Sequence, residues 1–171
     1  MAHWSCGICD KEHDALPMDI AWNRPKHFFE VPEEERDQRV WFDADQNADL
    51  CVIDGVTFLI RGVLPIPIED GSGSFRFGVW VLVEKPSFET YLEYRGEGKD
   101  SPSFSGHLSA EVPGYPSTYL LEADVKLQGV TERPRIRLRP SSHPLALEQL
   151  HGITPHRVHE IVHTVFPELF E

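Results

Sequence analysis

Two cysteines and a histidine near the start of the chain have the types and spacing of zinc ligands. In the stretch WSCGICDKEH, two residues separate Cys6 from Cys9, and His13 follows four residues later. One tetrahedral ion can take both thiolates of such a turn, whose amides face the sulfurs. Cys51 is the remaining cysteine of the sequence, and three sulfurs with one imidazole would complete a closed site. The pattern predicts structural zinc bound by Cys6, Cys9, His13 and Cys51.

The alternative for this stretch is a Cys-x2-Cys without metal, present as free thiols or as a redox pair. A redox pair normally begins a helix that follows a strand, whereas Cys6 lies close to the first residue of the sequence. Three cysteines are also a poor disulfide framework, and reduced thiolates are available to bind metal. We therefore favour the zinc hypothesis.

A second metal-binding pattern lies in HEIVH, residues 159–163, on a predicted helix. His159 and His163 would share a helix face, and Glu160 could act as general base toward a zinc-bound water, as in H-E-x-x-H metalloproteases. No histidine follows His163, although the extended motif has one. The apolar residues of this helix repeat at helical spacing: Val158, Ile161, Val162 and Val165. This stripe predicts that His156, His159 and His163 face solvent, which argues against a catalytic site. A zinc hydrolase that uses HEIVH therefore remains the alternative function and is not the favoured one.

Alternating arginines mark the segment RPRIRLRP, where they fall on one face of a predicted strand: Arg133, Arg135, Arg137 and Arg139. Four arginines on one face could bind an anion. The preceding segment YLLEADVKL alternates as well, and it carries Glu122 and Asp124. If residues 119–127 and 133–139 pair as antiparallel strands, these acids lie opposite the arginines. We expect this cross-strand charge ladder rather than an anion site.

The composition is that of an acidic, folded, soluble protein. The chain has 171 residues, of which 40% are hydrophobic and 26% charged, and its formal net charge is -12. A negative surface repels phosphate backbones, which disfavours nucleic acid as a partner. It favours a basic protein partner, although it could serve solubility alone. No apolar run reaches the roughly 18 residues of a membrane span, and MAHWSCG carries no secretory signal, so we expect a cytoplasmic protein.

The predicted elements group strands before helices. Asp54-Gly55 in LCVIDGVTFLIRG predicts a hairpin, FRFGVWVLVEK the central strand, and PSFETYLEYRG a helix with Ser87 as its cap. PEEERDQRV predicts a short helix, and HPLALEQLHG and TPHRVHEIVHTVF predict two more. This order predicts a single α+β domain, an antiparallel sheet with helices packed on one face. Its parts would be a knuckle segment at 1–20, the sheet with one helix at 45–140, and C-terminal helices at 141–171.

Five stretches of the chain resemble DUF2199, a family of uncharacterised bacterial proteins: CGICDKEHDALP, LCVIDGVTFLIRGVLPIPI, FGVWVLVEKPSFETYLE, VPGYP and RPSSHPLALEQLHGIT. The resemblance runs from about Cys6 to Thr154. It implies a bacterial single-domain protein that shares the N-terminal pair Cys6 and Cys9 with the family, together with His13 and Cys51. HEIVH departs from the family pattern. With no chemistry attached to the family, we expect a binding or interaction protein rather than an enzyme, for instance an acidic domain that neutralises a basic protein.

Overall fold

The computed structural model describes residues 4–5, 12–13, 17–96 and 101–170. Ten strands lie in these residues: β1 Trp4–Ser5, β2 Glu12–His13, β3 Asp19–Ala21, β4 Val40–Phe42, β5 Leu50–Ile53, β6 Thr57–Pro67, β7 Ser74–Val83, β8 Ser103–Leu108, β9 Glu122–Lys126 and β10 Arg135–Leu138. The described residues also contain five α-helices: α1 Lys26–Glu30, α2 Arg36–Arg39, α3 Lys85–Glu93, α4 Pro144–His151 and α5 Pro155–Val165. Short 3-10 turns occur at Glu33–Glu35 and Pro167–Phe170.

The centre of the fold is a five-stranded barrel. The long strands β6 and β7 pair with each other from Phe58↔Val83 to Pro67↔Ser74. The order β7-β8-β9-β10-β6 then closes the sheet on itself, and the closing contact is a parallel pair of β10 with β6. On the outer edges, β5 and β4 extend β6, and β3 runs parallel to β7. Closure removes the exposed edges of the five barrel strands.

The prediction of an α+β fold is confirmed, but the prediction of an antiparallel sheet with helices on one face is wrong. The sheet is mixed and closed, because β10 reaches the free edge of β6. That approach depends on Gly62, where a Cβ atom would lie 2.6 Å from the Cδ1 of Ile136. The alternation of apolar and polar residues in a strand predicts which side chains face the core. It does not predict which other strand pairs with it.

The core fills the barrel and extends beneath three helices. Its fully buried members include Phe75, Phe77, Leu64, Ile66 and Ile136. Phe88 of α3 and Leu145 of α4 join the same cluster, as do the apolar residues of α5. The helices therefore cover the barrel by inserting apolar side chains into its core, which fixes α5 against the barrel.

Several local predictions are confirmed. Asp54 and Gly55 both have positive φ, 53° and 67°, and Val56 N donates to Ile53 O at 3.1 Å, as a type I′ turn requires. Thr154 accepts a hydrogen bond from Arg157 N at 3.0 Å and caps α5. The cap of α3 is Glu84 rather than Ser87, so that detail is wrong. None of the helices in the described residues has the length and apolarity to span a membrane.

Candidate metal centre

A short hairpin brackets the cysteine pair. β1 and β2 are antiparallel, with Trp4 opposite His13 and Ser5 opposite Glu12. Residues 6–11 connect the two strands and contain Cys6 and Cys9. These two predicted ligands lie outside the described residues, and His13 is described only as a backbone position on β2. The register therefore fixes the ends of the Cys-x2-Cys connection.

Cys51, the third predicted sulfur ligand, is a fully buried residue of β5 with 0% exposure. It belongs to an apolar cluster with Val31, Ala48, Ile53, Leu59 and Trp80. Burial raises the pKa of its thiol to about 12, so the thiolate that zinc requires is strongly disfavoured there. These surroundings favour a packing role for Cys51, and its place in a metal site stays a prediction.

Cys51 also lies far along the sheet from the point where the N-terminal segment joins it. Met18 O accepts from Arg76 N at 2.9 Å, next to the start of β3. Cys51 is opposite Leu59 of β6, and Leu59 is opposite Leu82 of β7. Leu82 is six residues from Arg76 along β7, about 20 Å at the rise of an extended strand. The two positions occupy opposite ends of β7.

The prediction that His159 faces solvent is wrong, because its side chain has 0% exposure. The apolar stripe itself is confirmed: Val158, Ile161 and Val162 are buried, and Val165 packs partly buried against the core. At 3.6 residues per turn, His159 is only about 60° around the helix from Val162. The buried arc of α5 is therefore wider than its apolar residues alone indicate.

The two histidines of HEIVH share this side of α5. The ring centroids of His159 and His163 are 6.2 Å apart, and their planes are inclined by 34°. His163 is half-buried, whereas His156 is exposed as predicted. One helical turn separates the two rings, which is the spacing at which imidazoles at i and i+4 can bind one metal ion.

Glu160, the predicted general base, contacts Arg157 and His156 of its own helix. Its Oε2 accepts from Arg157 Nη1 at 3.2 Å, and its Oε1 lies 3.4 Å from His156 Nε2. Arg157 Nε also donates to Glu148 of α4 at 2.9 Å. Both oxygens of Glu160 are therefore engaged in a network between α4 and α5, which does not favour a base aimed at a metal-bound water.

The arginine ladder forms only in part. β9 and β10 are antiparallel as predicted, with Arg137 opposite Asp124. Arg139 pairs with Glu122 at 3.4 Å and with Asp124 at 3.5 Å. Arg135 instead lies opposite Lys126. The ladder therefore balances charge at one end of the strand pair.

Arg133 does not join this ladder and belongs to a polar cluster with the buried Arg61, which the sequence did not indicate. Its Nε binds Asp49 at 2.7 Å, and its Nη2 donates to Asn47 Oδ1 at 2.8 Å. The same Oδ1 accepts from Nη1 of Arg61, which is only 2% exposed. Arg61 Nε has no hydrogen-bond partner among the described residues, and burial lowers the pKa of Arg61. Residues 47–49 are thereby fixed against β6.

A serine–histidine contact is a second arrangement without a sequence signal. His27 Nδ1 lies 2.7 Å from Ser109 Oγ, and His27 Nε2 lies 3.2 Å from the Tyr119 hydroxyl, which donates to Glu30 at 2.9 Å. Burial lowers the pKa of His27. Ser109 is fully buried, and its Oγ accepts the backbone N–H of His27. It therefore anchors α1 to the barrel and offers no hydroxyl to a substrate.

Within the described residues, no group of three or more His, Cys, Asp or Glu side chains could hold a metal ion. No curated protein and no solved structure matches the chain at a significant level. The sequence profile of DUF2199, described as an uncharacterised protein conserved in bacteria, matches residues 5–153, which include the Cys-x2-Cys and end before α5. Because this match spans most of the 171 residues, the chain belongs to the DUF2199 family of bacterial proteins.

Proposed function

We propose that this protein is a zinc-binding, non-catalytic interaction domain, with Cys6 and Cys9 as the central pair of zinc ligands. The observation that supports the proposal is the register of the N-terminal hairpin, in which Trp4 pairs with His13 across the connection that carries both cysteines. A Cys-x2-Cys turn closed by paired strands is the arrangement that presents two thiolates to one tetrahedral ion. His13, on β2, is a further candidate ligand.

A structural role for the metal is favoured over a catalytic one. A catalytic zinc keeps one coordination position open to water or substrate, but His159 is completely buried. Glu160 is bound to Arg157 and lies beside His156, so the HEIVH stretch lacks an available base. These two features argue against the zinc hydrolase alternative.

The interaction part of the proposal rests on charge. The net charge is -12, and a run of acids at the surface contributes to it: Glu33, Glu34, Glu35 and Asp37 are all exposed. Such a surface attracts a basic protein and repels nucleic acid. A reducing cytoplasm would keep Cys6 and Cys9 as free thiols for zinc, in line with the cytoplasmic location that we propose.

The test is the zinc content of the purified full-length chain. We expect about one zinc per chain, as a closed site of this kind binds. Cys6→Ser and Cys9→Ser should each lose the metal, because a hydroxyl does not replace a thiolate as a zinc ligand. Asp10→Asn, a change in the same connection, is the matched control and should keep it. Full zinc retention in the double cysteine variant would refute the proposal.

A further inference from the structure

The N-terminal segment joins the barrel beside the end of β7 at which α5 begins. Met18 O accepts from Arg76 N, and two residues earlier on β7 lies Ser74, opposite Pro67 of β6. Pro67 O accepts from Ile153 N at 2.8 Å, and Glu69 N donates to Ile153 O at 2.9 Å. Ile153 is two residues before the first residue of α5. Met18 and the residues just before α5 are therefore attached to the same end of the β6–β7 pair.

The distances along this path are within reach of the cysteines. From Arg76 through Ser74 and Pro67 to Ile153, two strand residues and two strand spacings amount to roughly 16 Å. His159 is six residues beyond Ile153, about 9 Å of helix. Cys9 lies nine positions before Met18, and an extended chain of that length spans up to about 30 Å. Cys6 and Cys9 can therefore reach α5 without any change in the barrel.

Helix α5 carries two histidines with the spacing of the ligands that complete a Cys-x2-Cys zinc site. Structural zinc sites with two cysteines and two histidines combine a C-x2-C turn with an H-x3-H helix, and His159 and His163 have the second spacing. Their rings lie on one side of the helix, 6.2 Å apart, with His159 buried. Cys51 offers no comparable position, because it is enclosed by apolar side chains.

We propose that His159 and His163 complete the zinc site of Cys6 and Cys9, so that one tetrahedral ion joins the N-terminal hairpin to the last helix. This rests on the proposed function and names the two ligands that it leaves open. It accounts for a fully buried histidine at a helix position that periodicity assigns to the surface. The family match ends at Ile153, so these two ligands are features of this chain and not of the matched family segment.

The test compares zinc affinity in three histidine variants of the full-length chain. His159→Gln and His163→Gln should each weaken zinc binding by at least about 100-fold, more than the loss of an outer hydrogen-bond partner produces. His156→Gln, on the same helix, is the matched control and should bind zinc as the unaltered protein does. Cobalt in place of zinc should give the spectrum of a tetrahedral site with two thiolates, and this measurement needs no variant to fold.

The outcomes separate this inference from the proposed function. If Cys6→Ser and Cys9→Ser lose zinc while His159→Gln and His163→Gln keep full affinity, the histidine pair is not part of the site and the proposed function stands. A cobalt spectrum with three thiolates also overturns the inference. If the cysteine variants keep zinc, the proposed function itself is wrong.

Discussion

Replacement of Cys51 tests whether it is a core residue or a zinc ligand. We predict that Cys51→Ala folds and keeps its zinc, whereas Cys51→Ser is clearly less stable and also keeps its zinc. The reason is the position of the side chain, which is fully buried among Leu59, Trp80 and other apolar residues. An alanine leaves a small gap there, whereas a serine places a hydroxyl in the same apolar surroundings.

The magnitudes follow from these surroundings. Loss of one buried atom of this size costs about 1 kcal/mol of unfolding free energy, and a buried hydroxyl without a partner costs about 1–3 kcal/mol. In a chain of this length, each kcal/mol lowers the melting temperature by about 2–4 °C. We therefore expect a decrease of a few degrees for Cys51→Ala and of up to about 10 °C for Cys51→Ser.

The same burial gives stability a pH dependence. The pKa of Cys51 is raised from an ordinary 9.0 to about 12, so the folded state retains its proton over a range in which the unfolded state has lost it. Below pH 9.0 the thiol of Cys51 is protonated in both states, and its full contribution to folding stability is present. This contribution is lost as the pH rises toward about 12, because the unfolded state ionises first. Cys51→Ala removes the ionisable group, so its stability should decline less over this interval.

Two assays check the prediction. Thermal unfolding and zinc content are measured for both Cys51 variants, and thiol labelling is measured in a Cys6→Ser, Cys9→Ser background, where Cys51 is the remaining cysteine. Labelling at pH 8 should require unfolding. Loss of zinc in Cys51→Ala, or rapid labelling of the native protein, would show that Cys51 is accessible and available as a ligand, contrary to its position in the core.

Two further predictions concern the barrel and a surface ion pair. Gly106→Ala should destabilise the protein by about 1–3 kcal/mol in urea unfolding, because the new Cβ would lie 2.4 Å from Val81 Cγ1 and 2.8 Å from Leu82 O. Gly129→Ala is the control and should be neutral, because the nearest atom to its new Cβ is 4.0 Å away. Equal stability of the two variants would contradict the reasoning. Arg39→Gln should raise the pKa of Asp54 toward its ordinary value, because the guanidinium now lowers it by hydrogen bonding. In the unaltered protein, the Arg39–Asp54 pair contributes to folding stability above pH 3.8, and this contribution is lost as the pH falls. The variant should lack it. If the titration of the Asp54 carboxyl, followed by NMR, is unchanged in the variant, then Arg39 is not the cause of the lowered pKa.

The local elements were predictable because their signals lie within a few adjacent residues. The turn at Asp54-Gly55, the cap at Thr154 and the alternation of β9 and β10 each follow from short-range chemistry, and the structure has all three. The closure of the barrel was not predictable in this way. It requires β10 to pair with β6 more than 70 residues away, and the feature that permits it is the absence of a side chain at Gly62.

The position of His159 shows the same limit at the candidate site. Hydrophobic periodicity counts a histidine as a surface residue, since an imidazole without a partner is costly to bury. A histidine that binds metal can be buried although its side chain is polar. Hydrophobic periodicity therefore predicts solvent exposure for such a residue, which is wrong. Local spacing is the better signal, because C-x2-C and H-x3-H each describe how one element presents two ligands, whatever length of chain separates the elements. In this protein the two patterns lie at opposite ends of the sequence. Met18, which follows the first pattern, and Ile153, which precedes the second, form hydrogen bonds at the same end of the β6–β7 pair. A search for zinc sites in related sequences should therefore pair such half-motifs without a limit on their separation.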